Sequence, residues 1–436
     1  MTRRTPEGSD MTVLVTIVVL FSLSYTLAIF LMSRRKRPEL LPSPETLYFV
    51  FVLPCLNEEL VIGNTLDSLL ELPADNFSIL VIDDGSDDGT ADLVRGYDRD
   101  RVWLFERKAP EARQGKGKAL NAAYRWLRDS GVLKGVDEKD VVIAILDADG
   151  RIERNALFEV SHYFRNPKAG AVQVGVRMFN KTESLLTRLQ DFEFVTFTEI
   201  FQRGRQRFGS VGLGGNGQFT RFTALKALGD DPWTDCLTED LDLGLRLLAL
   251  GWENAFCPTS HVSQQAVNKF RRLLTQRSRW FQGHLQCWKR IPNVLFSKLP
   301  DKTAMDLTWH LLSPGLVLVM SLPMAVFMIG LTGATITDPH GVWAALTRGG
   351  GLLLVLWYLL SFGLAPFYGF SYWLREKEMG LFRSIVIAHA YNLYSYLWFI
   401  AGWRAAFRMI RRKKGWAKTT RQPEPEFAHA APRKAA

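Results

Sequence analysis

The chain is poor in cysteine and histidine. Its four cysteines, Cys55, Cys236, Cys257 and Cys287, lie far apart, with no Cys-x-x-Cys pair and no clustered histidine beside them. Such spacing indicates neither a zinc site nor a disulfide framework, and it fits a reducing, cytosolic location for the central part of the chain. No Gly-x-x-x-x-Gly-Lys-Ser/Thr loop occurs, which excludes a Walker-type nucleoside triphosphatase. Internal repeats and an appended regulatory domain are also missing, so regulation by a second messenger has no support. Long apolar runs are absent from the middle and concentrated near both ends. The net charge of +10 gathers beside those runs. Arg34, Arg35, Lys36 and Arg37 follow the first, and Arg404, Arg408, Arg411, Arg412, Lys413 and Lys414 follow the last. Basic residues flanking apolar spans are the positive-inside signature and a contact for anionic lipid, a better account of the charge than nucleic acid.

The first run, Met11 to Met32, carries no charge and is long enough to cross about 30 Å of hydrocarbon. It shows no small-residue cleavage site, and the basic cluster after it favours a retained anchor over a signal peptide. The positive-inside rule then puts Arg34 to Arg37, and the central domain after them, in the cytosol. Pro38 to Thr46 reads as a polar linker. At the other end Leu307 to Leu331 and Leu352 to Trp373 read as spans, and Phe382 to Trp403 is a third candidate holding His389, Asn392 and several tyrosines. If all four crossed, the basic tail after Arg404 would emerge outside, against the rule. Phe382 to Trp403 is therefore expected to be interfacial or re-entrant. The Pro- and Ala-rich end, Gln422 to Ala436, is expected to be disordered. The resulting division is an anchor at 11–32, a cytosolic domain at 45–260, an amphipathic segment at 261–305, a membrane domain at 306–403 and a basic tail from 404.

The central domain is organised around VVIAILDADG, Val141 to Gly150. A β-branched, uncharged run ending in Asp-x-Asp reads as a buried parallel strand whose two carboxylates, Asp147 and Asp149, project to one side. Hard cations such as Mg²⁺ and Mn²⁺ bind through one or two carboxylates and share the rest of their shell with substrate phosphates. A plain polar turn is the competing reading. Upstream, YFVFVLP and FSILVID read as strands, Asn57 as a helix cap ahead of Glu58 and Glu59, and Val102 to Phe105 as a short strand. Helices are expected from Thr90 and over Lys116 to Arg128. Alternating strand and helix implies α/β architecture with a mostly parallel sheet. Ligands then bind at the carboxyl ends of the strands, where Asp83, Asp84, Asp147 and Asp149 all fall. Lys118 and Asn121, in GKGKALN, supply a cation and an amide within reach of phosphate or base.

Further along come a helix over Asn155 to Phe164, a strand AVQVGV, a helical stretch from Thr182 to Arg203, and the glycine-rich VGLGGNGQF. That last segment is either a close backbone approach to a ligand or an ordinary tight turn. In DCLTEDLDLGLRLLALGW, Thr238 is placed to cap a helix with Leu241, Leu245, Leu248 and Leu250 on its core face, which presents Glu239 and Asp240 at the amino-terminal end. Acids there are good capping chemistry; beside a metal-nucleotide site, one of them suits a general base for transfer to a hydroxyl. Gln264 to Arg290 is rich in Arg, Gln and aromatics. Part of it reads as a surface amphipathic helix, and Gln276, Arg279 and Trp280 offer an amide, a guanidinium for phosphate and a ring for a sugar face.

These motifs, PCLNEE, VIDDGSDDGT, GKALN, LDAD, TED and QRSRW, occur in order from Phe51 to Trp280. In this the chain resembles the membrane-embedded family-two glycosyltransferases, which include cellulose, hyaluronan, chitin-oligosaccharide and poly-N-acetylglucosamine synthases. The resemblance implies a GT-A fold flanked by transmembrane helices, Mg²⁺ or Mn²⁺, and inverting transfer from a nucleotide sugar, here expected to be a UDP-sugar. It implies a polysaccharide or lipid-linked acceptor, leaves room for an accessory export protein, and places the catalytic domain on the cytosolic side of the cell membrane. By position, Asp83, Asp84, Lys118, Asn121 and Asp147 resemble donor-binding residues, Asp149 the metal carboxylate and Asp240 the catalytic base. Glu239, Gln276, Arg279 and Trp280 resemble the acceptor and diphosphate side, the last three forming the Gln-x-x-Arg-Trp motif of processive members. The acceptor-site motif usual before TED is replaced here by GLGGNGQF.

Overall fold

A computed structural model describes residues 7–34, 46–348 and 351–411. The chain divides into two compact units, one built on Leu40–Asn180 and Gly212–Ala266 and the other on Met1–Glu39, Lys181–Val211 and Val267–Lys414. The helical stretch expected inside the cytosolic domain thus belongs to the second, helical unit. Residues 35–45 and 412–436, including most of the expected linker, Arg35 to Arg37 and the tail, lie outside the described residues.

The first unit is a mixed sheet covered by helices. Its strands are β1 (Tyr48–Cys55), β2 (Phe77–Asp83), β3 (Val102–Glu106), β4 (Val141–Ile145), β5 (Arg151–Ile152), β6 (Ala169–Met178), β7 (Gln218–Arg221) and β8 (Glu253–Gln264), arranged β3-β2-β1-β4-β7-β6-β8-β5. β1, β2, β3 and β4 run parallel; β7 is antiparallel to both β4 and β6, and β8 is parallel to β6. All strands except β5 and β7 therefore point the same way, and their carboxyl ends share one edge. The central strands are uncharged because both faces are covered. Val52 pairs with Leu80 on one side and Ile145 on the other. Against them pack Ala119, Leu120, Ala123, Tyr124 and Leu127 of the Lys116–Asp129 helix, with Leu243 and Leu247 of the Glu239–Ala249 helix. Burial of each such leucine contributes about 1.5–3 kcal/mol.

Several local expectations are corrected. β4 stops at Ile145, so Asp147 and Asp149 stand in the following turn, closed by the Gly150 amide donating to the Asp147 carbonyl at 2.8 Å. Asn57 does not cap the next helix: it sits at φ 54°, and its side chain accepts the Asp87 amide. Thr238 occupies the N-cap position of Glu239–Ala249 without a side-chain capping bond, and Leu250 is exposed while Leu243 and Leu247 fill the core. The helix expected over Asn155 to Phe164 is a shorter α-helix, Ala156–Ser161, followed by a 3₁₀ turn. β8 escaped the sequence pattern because Pro258 and scattered polar residues interrupt it. The strand accommodates them with a register shift, Cys257 pairing with Val174 but His261 with the adjacent Gly175.

The helical unit contains Glu7–Ser33, which includes the expected anchor, and two stretches long and apolar enough to cross a membrane, Asp301–Thr337 and Leu354–Glu376. The candidate Phe382 to Trp403 is not one helix. It is divided into Leu381–Ser395 and Leu397–Ile410, of 15 and 14 residues, both short of the roughly 20 that a crossing requires.

Candidate active site

The carboxyl edge of the sheet brings together residues that are distant in sequence. At the start of the Lys116–Asp129 helix, Lys116 Nζ lies 2.8 Å from Asp147 Oδ1 and 3.7 Å from Glu239 Oε1. The Glu239–Ala249 helix supplies Glu239 and Asp240 from its first turn. Between them runs the glycine loop before β7, which the antiparallel pairing of β4 and β7 returns to this edge, the Gly217 amide donating to the Ile145 carbonyl at 3.0 Å. Gly215 adopts φ +73°, and a Cβ there would lie 2.9 Å from Asp240 Oδ2 and 3.5 Å from Lys116 Nζ. A glycine is thus required at 215, where the backbone passes directly against the acid–lysine cluster.

The loop is held from below. Gln173 on β6 accepts the Gly214 amide and donates to the Asn216 carbonyl, both at 2.8 Å. Asn216 Oδ1 accepts the Asp147 amide at 3.1 Å while its Nδ2 donates to Gln264 at 2.7 Å. The next amide, Gln265, donates to Asp149 Oδ2 at 3.1 Å. The end of β8 therefore fixes both halves of the Asp-x-Asp turn.

Electrostatics separate the roles of these groups. Burial pushes the Asp240 carboxyl up to about 7, with the neighbouring Glu239 charge adding to the rise and Lys116 opposing it. Burial would lower the Lys116 ammonium, but Asp147 and Glu239 outweigh it and hold the lysine well above its usual value. A carboxylate poised near neutrality beside a permanently charged lysine suits a general base next to a group that stabilises anionic phosphate.

Lys118 and Asn121 are placed differently from the expectation. Lys118 points to Asp235, 3.6 Å away, with its side chain 44% exposed. Asn121 is buried and committed to the Trp233 backbone, donating to its carbonyl at 2.7 Å and accepting its amide at 2.9 Å. It anchors the loop that leads into the TED helix. Asp83 ends β2, and its carboxylate accepts the Ser86 amide at 3.3 Å. Asp84 pairs with Arg107 while both are buried. Burial raises the Asp84 carboxyl above its usual range, and Arg107 works against that rise.

Arg107, Lys116, Gln173 and Asn216 were missed in the sequence. Lys116 alone had a visible signal, being the other lysine of GKGKALN. The choice between the two depended on which turn of the helix faces the edge.

Asp149 is the candidate metal carboxylate, with Asp147 of the same turn beside it, and no group of three or more His, Cys, Asp or Glu residues suited to a metal occurs among the described residues. The donor set nevertheless fits a hard cation bound together with a diphosphate, which needs only one or two protein carboxylates.

In the helical unit, Gln276, Arg279 and Trp280 lie on the Phe270–Gln286 helix. Arg277, between them, is fully buried: its Nη2 is 2.5 Å from Glu193 and its Nη1 donates to Gln276 Oε1 at 2.8 Å. The Arg277 guanidinium lies 4.1 Å from the centroid of the Trp280 ring. Tyr394 and Trp398 also donate to Glu193, at 3.1 and 3.0 Å. One face of the Trp280 ring is thus covered by an arginine.

A mixed, mostly parallel α/β sheet with an acid–lysine cluster at its carboxyl edge is a GT-A-like arrangement. The model of the family "Glycosyltransferase like family 2" matches residues 44–283, and the chain belongs to that family. It is 32% identical over 328 residues to the beta-monoglucosyldiacylglycerol synthase of Trichormus variabilis, covering 70% of this chain and 65% of the relative. To the poly-beta-1,6-N-acetyl-D-glucosamine synthase of Staphylococcus epidermidis it is 32% identical over 237 residues, covering 53% of each. The chain thus spans between half and two-thirds of these relatives. The solved mannosyltransferase PcManGT from Pyrobaculum calidifontis, in complex with GDP-Man and Mn²⁺, shares the fold at a TM-score of 0.60 and 18% identity, over 93% of this chain and 99% of its own.

Proposed function

We propose that this enzyme inverts configuration while moving a hexosyl or N-acetylhexosaminyl group from a UDP-sugar to an acceptor hydroxyl at the cytoplasmic face of the membrane. The observation that carries this reading is the convergence of Lys116, Asp147, Glu239 and Asp240 around Gly215. Asp240 takes the acceptor proton as the new bond to the anomeric carbon forms and the bond to the diphosphate breaks. Lys116 stabilises the charge arriving on the departing diphosphate. Asp149 would hold Mg²⁺ or Mn²⁺, which when bound would neutralise part of the same charge, with Asp147 beside it on the donor side. Asp84, with Arg107 fixing its carboxylate, and Asp83 face the nucleoside.

The acceptor in the leading reading is a growing β-linked polysaccharide, with export by the membrane domain. Gln276, Arg279 and Trp280 support it, the first and last held by Arg277. A second reading, transfer of one sugar to a lipid acceptor, is favoured by the lipid-glucosylating relative, which matches more of this chain than the polymer synthase does. Membrane placement rests on the apolar helices and their basic flanks, and the division of Phe382 to Trp403 into two short helices supports its interfacial or re-entrant reading.

Product size with the purified chain in lipid separates the acceptors. A ladder or high-mass product formed without added lipid acceptor supports the polymer, whereas a discrete product that requires diacylglycerol or a lipid-linked sugar selects single transfer. Chelation should abolish either product, and Mn²⁺ or Mg²⁺ should restore it.

A further inference from the structure

In the helical unit two arginines pair with one carboxylate, and a third reaches the helix that carries one of them. Glu199 stands in a π-helical turn, Phe197–Gln202, an irregularity often retained at functional sites. Its Oε2 lies 2.7 Å from Arg203 Nη1 and its Oε1 lies 3.3 Å from Arg375 Nε. Arg34 comes from the end of the first helix, its Nη2 donating to Ser371 at 2.5 Å and its guanidinium 4.9 Å from the centroid of Phe30. Its Nε is buried and has no hydrogen-bond partner. Proximity is also registered by charge: burial lowers the Arg34 pKa first, Arg203 lowers it further, and Glu199 opposes both. Two further carboxylates on this side, Glu376 and Glu378, are engaged by Lys181 at 2.6 and 3.1 Å. Arg203 and Arg375 therefore share one glutamate, and Arg34, bonded to Ser371 one turn before Arg375, adds a third guanidinium with a buried unsatisfied donor.

The position of the cluster in the chain says what would meet it. Arg34 directly follows the apolar helix Glu7–Ser33, and Arg375 stands at the last turn of the apolar stretch Leu354–Glu376. Arginines at such ends fall at the level of lipid phosphates, and basic clusters between apolar helices on the cytoplasmic side accept anionic head groups. Guanidinium forks match phosphate oxygens in geometry as well as charge.

We propose that Arg34, Arg203 and Arg375 form a binding site for the phosphate of an anionic phospholipid head group. The site rests on the membrane placement proposed above and is independent of the acceptor. The test uses the full chain in phosphatidylcholine nanodiscs, with phosphatidylglycerol titrated in and bound lipid counted by native mass spectrometry. Wild type should retain phosphatidylglycerol selectively. R203Q/R375Q should weaken that retention by roughly thirty-fold, and R203K/R375K should recover part of it. Nucleotide-sugar binding, measured in parallel, should be unchanged and shows that each variant is folded. Equal retention in wild type and the Gln variant would overturn the proposal. Displacement of the lipid by millimolar inorganic phosphate, with no preference for the lipid form, would overturn the head-group assignment. Failure of the wild-type chain to enter nanodiscs would instead refute the membrane placement, and the proposal with it.

Discussion

Removing the Lys116 charge should move the pH dependence of the reaction. Asp240 accepts a proton only when ionised, so the rate rises with pH through its pKa, which burial and Glu239 place at about 7 even with Lys116 opposing them. Asp240 Oδ2 and Lys116 Nζ both lie within 3.5 Å of the point that a Gly215 side chain would occupy. A charge at such range shifts a carboxyl by about 1–3 pKa units. With the lysine side chain 20% exposed to solvent screening, the lower end applies, about one unit. In Lys116→Gln the acid limb should therefore move from near pH 7 to near pH 8. At pH 7 the ionised fraction would fall from about one half to about one-eleventh, a loss of roughly five-fold that is recovered above pH 9. A second loss, independent of pH, comes from the missing diphosphate contact. The assay is initial-rate nucleoside diphosphate release at saturating donor between pH 5.5 and 9.5. A limb that stays in place or moves to lower pH would refute the electrostatic coupling of Lys116 to Asp240.

Other substitutions separate structure from chemistry. Gly215→Ala places a Cβ 2.9 Å from Asp240 at a left-handed φ; it should cost about 1–2 kcal/mol of stability and at least ten-fold in turnover, read by thermal unfolding and rate. Asn121→Ala strands the Trp233 amide and carbonyl and should destabilise by about 2–4 kcal/mol, whereas Lys118→Ala should change stability by less than about 0.5 kcal/mol. Denaturant midpoints distinguish the two. Arg277→Met leaves Glu193 with a buried charge and should cost about 3–5 kcal/mol, and Arg277→Lys should not restore the contacts with Gln276 and Trp280; acceptor KM and unfolding report on it.

The α/β order and the acids at the strand ends were legible because buried parallel strands are uncharged and stop abruptly. What the sequence hid depended on side-chain direction and on long-range pairing. Lys116 and Lys118 are equivalent in composition, yet two residues along a helix turn a side chain to another face, and only Lys116 reaches Asp147. Asn121 resembled a ligand contact because an amide in a helix start suits phosphate; its actual partner, Trp233, lies 112 residues away. The clamp of Gln173 and Asn216 on the glycine loop exists because β7 returns antiparallel between β4 and β6, a pairing that local pattern does not encode. Leu250 followed the helical period but falls at the helix end, where the chain has left the core.

The most direct test of the central claim compares wild type with Asp240→Asn for donor binding and for nucleoside diphosphate release, across UDP- and GDP-sugars with Mn²⁺ or Mg²⁺. Release is expected with one UDP-sugar, lost on chelation, with a fall of at least about 10²-fold in Asp240→Asn while the donor still binds. Equal release by the two proteins would contradict it.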